Sequence, residues 1–311
     1  MSSNYYYIYS SLPDIFFDEK DDKKDYREFS RVFDEVRESL SDPDREALRY
    51  VRYPIDNANL IVLLEGASDA ERKFLPGGNY SLDELKYEMR ALDTIPAYMV
   101  LFLENFNRLQ VPFGSTNHVD HLNENFYGEV LNLPESGRGF GLASHEGDPE
   151  PSYGRHRETF DASLIKRWYI FERDLNNVLT AIECQKHNEP IEKRESVRVD
   201  QKMGQHLLGD YETTQALRQS KSYDFSLSGK FWWMDRVLNL NSESMLSYEK
   251  ALIALRLEVL QGLAGSDDFT LNALLAYFIQ LQILIRWSSL DETAGRNFID
   301  TLSQKVGNYI L

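Results

Sequence analysis

Residues equipped for chemistry are few and scattered. His118 and His121 are separated by two residues in STNHVDHLNEN, with Asp120 and Glu124 close by. On a helix that spacing brings two imidazoles toward one metal ion. Asp120 does not share their face, and the segment reads as a polar loop. No HExxH is present, and Cys184 is the single cysteine, so CxxC is excluded. Cys184 precedes His187 by three residues, a spacing compatible with thiol catalysis. Its setting argues otherwise. Cys184 ends an apolar helical run, and His187 suits the negative end of a helix. His145 and His156 bracket an acidic, glycine-rich stretch that reads as solvent-facing. GRGFG at 137–141 is not GxGxxG, and no GxxxxGK[ST] phosphate loop occurs. Carboxylates are too numerous for neighbours in sequence to mark an acid–base pair. No catalytic, cofactor-binding or metal-binding residue is assigned, and the expectation is a protein that is not an enzyme and uses no cofactor.

Aromatic residues point to binding or packing. NYYYIYSSLP, residues 4–13, holds four tyrosines and an isoleucine in six positions. As an early strand or a helical turn it is expected to be mostly buried rather than a ligand platform. Trp232-Trp233 in SGKFWWMDRVLNL is either a partner-binding hot spot or one core residue beside one boundary residue. Trp168 and Trp287 lie in apolar helical patterns and read as core.

The bulk numbers narrow the class. The 311 residues suffice for one large core or two to three lobes. Apolar residues make up 42% and aromatics 13%, which excludes a disordered chain. The formal charge of −16 argues against a nucleic-acid-coating surface and against adhesion to an anionic membrane. The N-terminus lacks the basic region and cleavage site of a signal peptide, and a single cysteine fits a reducing cytoplasm.

Periodicity then supplies the elements. DEKDDKKD at 18–25 is a charged connection. Phe29, Val32, Phe33, Val36 and Leu40 form one helical stripe. SDPD at 41–44 reads as a helix start, with Ser41 as cap and Asp44 at the reciprocal position. NANLIVLLEG at 57–66 reads as a helix ending at Gly66. Gly77-Gly78 marks a turn, and Ser81 with Glu84 forms a capping-box pattern before Leu82, Leu85 and Met89. Pro96 restarts a helix over AYMVLFLENFNRL. Residues 107–157 are less regular, and 134–156 read as a long loop. Leu164, Trp168, Phe171, Leu175, Val178, Leu179 and Ile182 recur at helical spacing. Further helices are expected within 202–220, 229–240 and 243–262. The run FTLNALLAYFIQLQILIRW, 269–287, is broken by Asn272, Gln280, Gln282 and Arg286. That pattern favours a buried helix over a membrane span. The fold class is mainly α.

One element repeats. DNANLIVLLEG (56–66) aligns with DLNNVLTAIEC (174–184), pairing Asp56 with Asp174, Asn59 with Asn177 and Glu65 with Glu183. Leu60, Ile61 and Leu64 match Val178, Leu179 and Ile182. The expectation is corresponding helices in two related lobes.

NYYYIYSSLP, YPIDNANLIVLLEG and PGGNYSLDEL (76–85) resemble a family of uncharacterised proteins of Bacteroidetes-type bacteria, whose genes accompany those of the V/A-type ATPase. More distantly, Asp56-Asn59 and Asp174-Asn177 resemble the lobe pattern of the V/A-type ATPase connector, the component lettered C in archaeal-type enzymes and d in eukaryotes. That resemblance implies a three-lobed helical funnel: a first lobe at 1–110, an irregular connection at 111–158, a second lobe at 159–230 and a third at 231–311. LNALLAYFIQLQILIRWSSL (271–290) resembles the third lobe's closing helix. It has Gln282 and apolar neighbours where that lobe carries acids and Asn. The implied role is a non-catalytic connector between the central stalk and the membrane ring. Those ATPase subunits would be its partners, with no nucleic acid and no direct membrane insertion. It would be cytoplasmic and peripherally associated through the complex. The alternatives are an assembly factor or helical adaptor, and an enzyme of unrecognised class.

Overall fold

The computed structural model describes residues 3–15, 31–66, 70–75, 77–109, 118–133, 163–186, 207–240, 244–267 and 269–289. All regular structure among them is helical. In chain order the helices are α1 (Ser3–Ser11), α2 (Arg31–Ser39), α3 (Asp42–Leu64), α4 (Ala70–Lys73), α5 (Leu82–Ala91) and α6 (Ala97–Leu109). They continue as α7 (His118–Leu131), α8 (Ser163–Lys186), α9 (Tyr211–Gln219), α10 (Met234–Leu238), α11 (Met245–Ala264) and α12 (Leu271–Ser289).

The centre is α3, which packs against α4, α5, α7, α8 and α12. It starts where SDPD predicts, with Ser41 at the N-cap and Pro43 in the first turn. Ser41 Oγ donates to Asp44 Oδ2 at 2.7 Å rather than capping a backbone N–H. The helix ends at Leu64, and Gly66 takes φ +63, a left-handed stop that glycine adopts without Cβ strain. Between these ends α3 is one helix, not a separate helix from residue 57. Pro54 lies inside it. A proline there removes the N–H that would bond the carbonyl four residues back, at Tyr50. The Tyr169 hydroxyl of α8 donates to that carbonyl instead, at 3.0 Å. A contact remote in sequence thus satisfies the group that proline frees.

Other signals hold as read. Ser81 and Glu84 form a reciprocal capping box on α5. Phe33, Val36 and Leu40 are buried on and beside α2, whereas Phe29 lies outside the described residues. On α8, Leu164, Trp168, Phe171, Leu175 and Val178 are buried, with Leu179 and Ile182 partly so. Leu274, Leu275, Phe278 and Leu281 of α12 are fully buried, with Leu271 and Ile285 partly buried beside them. No described helix is long and apolar enough to cross a membrane.

Three expectations need correction. Residues 118–131, placed in an irregular connection, form α7, and Leu122, Phe126 and Val130 pack it into the core. Its polar residues obscure that stripe in the sequence. The tyrosine run, read as a strand or a helical turn, is a helix, but it is not mostly buried: only Ile8 of its five residues is buried. Helical spacing turns Tyr5, Ile8 and Tyr9 inward and leaves Tyr6 and Tyr7 exposed. Finally, α12 is not enclosed by a third lobe alone. It pairs with α11 and also packs on α3 and α8, with Phe278 stacked on Phe33 at 4.3 Å. One continuous hydrophobic cluster runs from Ile8 to Leu284. The 134–156 loop and the 18–25 connection lie outside the described residues.

Candidate functional site

The repeated Asp-x-x-Asn pattern has a structural meaning. Asn59 of α3 donates from Nδ2 to the Leu75 carbonyl at 2.9 Å, and its Oδ1 accepts from the Leu75 N–H at 2.7 Å. Asn177 of α8 treats Leu208 the same way. Its Nδ2 donates to the carbonyl, and its Oδ1 accepts from the N–H at 3.2 Å. Each amide mimics one rung of a sheet and holds a single residue of the chain beyond its helix. An amide side chain has the donor and acceptor this requires. The clamped residue lies 16 positions after Asn59 and 31 after Asn177. The clamp thus tolerates very different loop lengths.

The loops that follow also match. LPGGNY (75–80) and LGDY (208–211) each run from the clamped leucine through glycine to an Asn or Asp, then Tyr, and into a short helix. Both glycines lie against the aspartate-bearing turn of the preceding long helix. A Cβ on Gly78 would stand 2.3 Å from Asp56 Oδ1, and one on Gly209 would stand 2.9 Å from Arg173 Cζ. Asp56 is fully buried and accepts from the N–H groups of Asn79 and Tyr80 and from Asn79 Nδ2, at 2.8 to 3.2 Å. Burial pushes its carboxyl up to about 6, although those donors pull the other way. Asp174 accepts instead from its neighbour Arg173, through Nε at 2.9 Å and Nη2 at 2.8 Å. Asp210 caps α9 by accepting from Thr213 N at 2.9 Å. Burial raises its carboxyl, but hydrogen bonds from Thr213 and Lys230 hold it down at about 2. These polar sets hold loops against helices. Glu65 and Glu183, the third matched pair, are exposed at the ends of their helices.

No such clamp occurs on α12 among the described residues. Asn272 Oδ1 and Gln282 Nε2 are buried there without a hydrogen-bond partner among those residues.

Most of the sequence candidates for chemistry lie outside the described residues. His118, Asp120 and His121 lie in α7, but their side chains are outside the described residues, as are His145, His156 and His187. Among the described residues no three His, Cys, Asp or Glu groups converge as metal ligands. Cys184 is buried in the apolar face of α8. Trp233 is buried and stacks on Phe231 at 4.8 Å, while its neighbour Trp232 is 60% exposed under the Arg236 guanidinium. The pair is one core residue beside one surface residue.

Two cavities are lined by described residues. A recess between α7 and α8, lined by Tyr127, Val130, Tyr169 and Arg173, has no room for a water-sized molecule. An open depression of about 350 Å³ is lined by Arg37, Glu38, Arg45, Arg49 and Asn79. Its guanidinium groups are already engaged: Arg37 with Glu38, Arg45 with Asp42, and Arg49 with Glu46 and the Tyr80 hydroxyl.

The described residues thus form a helical scaffold in which Asn59, Asn177 and Asp56 hold its own loops. The chain belongs to the family described as protein of unknown function DUF2764, which it matches over residues 1–306. No curated protein and no solved structure matches it.

Proposed function

We propose that the protein is a non-catalytic component of a V/A-type ATPase that couples the central stalk to the membrane ring. It would be cytoplasmic and held at the membrane through the complex. The observation that carries this reading is the duplicated clamp, in which Asn59 and Asn177, each three residues after an aspartate on a long helix, hold the backbone of a leucine beyond that helix. That is the pattern on which the resemblance to the ATPase connector rests. In this role the duplicated helices form a stiff body that transmits torque, and other subunits hydrolyse ATP. The buried clamps suit such a task, since each hydrogen bond they add resists the parting of loop from helix.

The continuous core favours a second reading. A funnel needs an open mouth for the stalk, whereas the described helices pack on one shared apolar cluster. A helical adaptor or assembly factor of the same complex needs no such opening. One experiment separates the two. The intact ATPase is purified from cells with and without this protein, and ATP hydrolysis is compared with the ion transport it drives. A connector is required for the coupling of the two activities, and an assembly factor changes mainly the yield of complex. Normal yield and normal pumping in its absence would sink both readings.

A further inference from the structure

The exposed half of the N-terminal tyrosine run forms a surface with a defined chemistry. Tyr6 is 54% exposed, Tyr7 71% and Phe269 41%. They are contiguous, because the Tyr6 ring lies 5.0 Å from Phe269 and 5.8 Å from Tyr7. Tyr9 packs edge-on against both Phe269 and Tyr277 and extends the cluster inward. The patch is held from beneath. Tyr5 donates its hydroxyl to Asp44 Oδ2 at 2.6 Å, Tyr277 donates to the Pro13 carbonyl at 2.9 Å, and Ile8 is buried. Three aromatic rings are therefore presented on a fixed support, which lowers the ordering cost of binding.

The described segments that carry the patch, residues 3–15, 257–267 and 269–285, contain no lysine or arginine. They do contain carboxylates, of which Asp14 acts electrostatically on Tyr277 and Asp267 accepts from the Phe269 N–H at 3.1 Å. The segments that carry these π-faces thus supply no cation to cover them. That contrasts with Trp232, which has Arg236, and with the depression whose arginines are paired. Aromatic faces beside carboxylates attract a guanidinium or ammonium group. The same charge, on a chain of net −16, repels phosphate backbones and anionic lipid.

We propose that the face formed by Tyr6, Tyr7 and Phe269 docks an arginine- or lysine-bearing segment of a partner protein, whose cations lie on the rings and pair with the flanking carboxylates. The proposal does not depend on the ATPase reading, since the partner is defined by its charge and not by its complex.

The full-length protein carrying the photo-crosslinker benzoylphenylalanine in place of Tyr7 is irradiated in its native cells, and the crosslinked peptides are sequenced. The same substitution at exposed Tyr223 serves as control. The expected product, specific to Tyr7, is a segment of another protein with net positive charge. A synthetic peptide of that segment then binds the purified protein. Binding weakens at least about tenfold when the peptide's basic residues become glutamate, and by a similar factor in Tyr6→Ala/Tyr7→Ala. The exposure of both rings leaves the fold of that variant intact, which circular dichroism checks. A crosslink to lipid, to a second copy, to this chain itself, or to a neutral or acidic segment overturns the proposal. So does the absence of any crosslink, or equal binding by the charge-reversed peptide.

Discussion

Helices α3 and α8 hold their following loops with the same asparagine clamp, yet they treat the aspartate three residues earlier in opposite ways. Asp56 is held by N–H donors of Asn79 and Tyr80, including the backbone of both. Asp174 has an arginine as its immediate neighbour and donor. The clamp geometry is thus kept, and the means of compensating a buried charge is not. The first arrangement ties a carboxylate to a turn. The second ties it to a side chain that mutation can remove.

That difference predicts the largest effect. Asp174→Ala leaves the buried Arg173 without its carboxylate and should destabilise by about 3–5 kcal/mol in denaturant unfolding. Arg173→Met combined with Asp174→Leu should recover most of the loss, because an apolar pair needs no compensation. Asp56→Leu should be destabilising by about 3 kcal/mol with no such rescue, since the N–H groups of Asn79 and Tyr80 stay behind unpaired. Equal rescue at both sites would erase the contrast.

The pH response should differ in sign. Asp56 is raised from 3.8 to about 6, so the folded protein binds its proton more tightly than the unfolded chain. Stability from this group is greatest below pH 4, falls as pH rises toward 6, and is flat above, a change of order ~3 kcal/mol. Asp210, lowered to about 2, acts oppositely: its contribution is present above pH 3.8 and lost as pH falls toward 2. Because Asp210 is about half exposed, its share is smaller. Urea midpoints measured between pH 2 and 7 for the wild type, Asp56→Asn and Asp210→Asn should show each slope disappear in its own variant.

The clamps themselves should be alike. Asn59→Ala and Asn177→Ala each remove two hydrogen bonds from one residue's backbone and should each cost about 2 kcal/mol. A large loss at one site and none at the other would show that the two helices are equivalent in pattern only.

The smallest effect tests the link between the two regions. Tyr169→Phe removes a donor from the Tyr50 carbonyl and should be destabilising by about 1 kcal/mol. In a Pro54→Ala background the helix supplies its own N–H, and the same change should cost only a few tenths of that. A double-mutant cycle without coupling would contradict the account of Pro54.

The helices with uninterrupted apolar stripes were legible in the sequence. Leu274, Leu275, Phe278 and Leu281 of α12, and Leu164 to Val178 of α8, declare a buried face because a helix repeats every 3.6 residues whatever it packs against. The stop at Gly66 and the capping box at Ser81 were legible because each acts within one turn of chain. The Asp-x-x-Asn repeat was visible too, but not its purpose, since neither Leu75 nor Leu208 lies at a fixed distance from its asparagine. Tertiary contacts decided the rest. Pro54 stays within one helix because Tyr169, from another element, reaches the carbonyl it frees. The polar segment at 118–131 is a helix because Leu122, Phe126 and Val130 find a core to enter. In NYYYIYSSLP the sequence shows five bulky residues with no preference among them. Only the seat of α1 against Asp44, Pro13 and Tyr277 determines that Ile8 goes in and that Tyr6 and Tyr7 stay out, available to a partner.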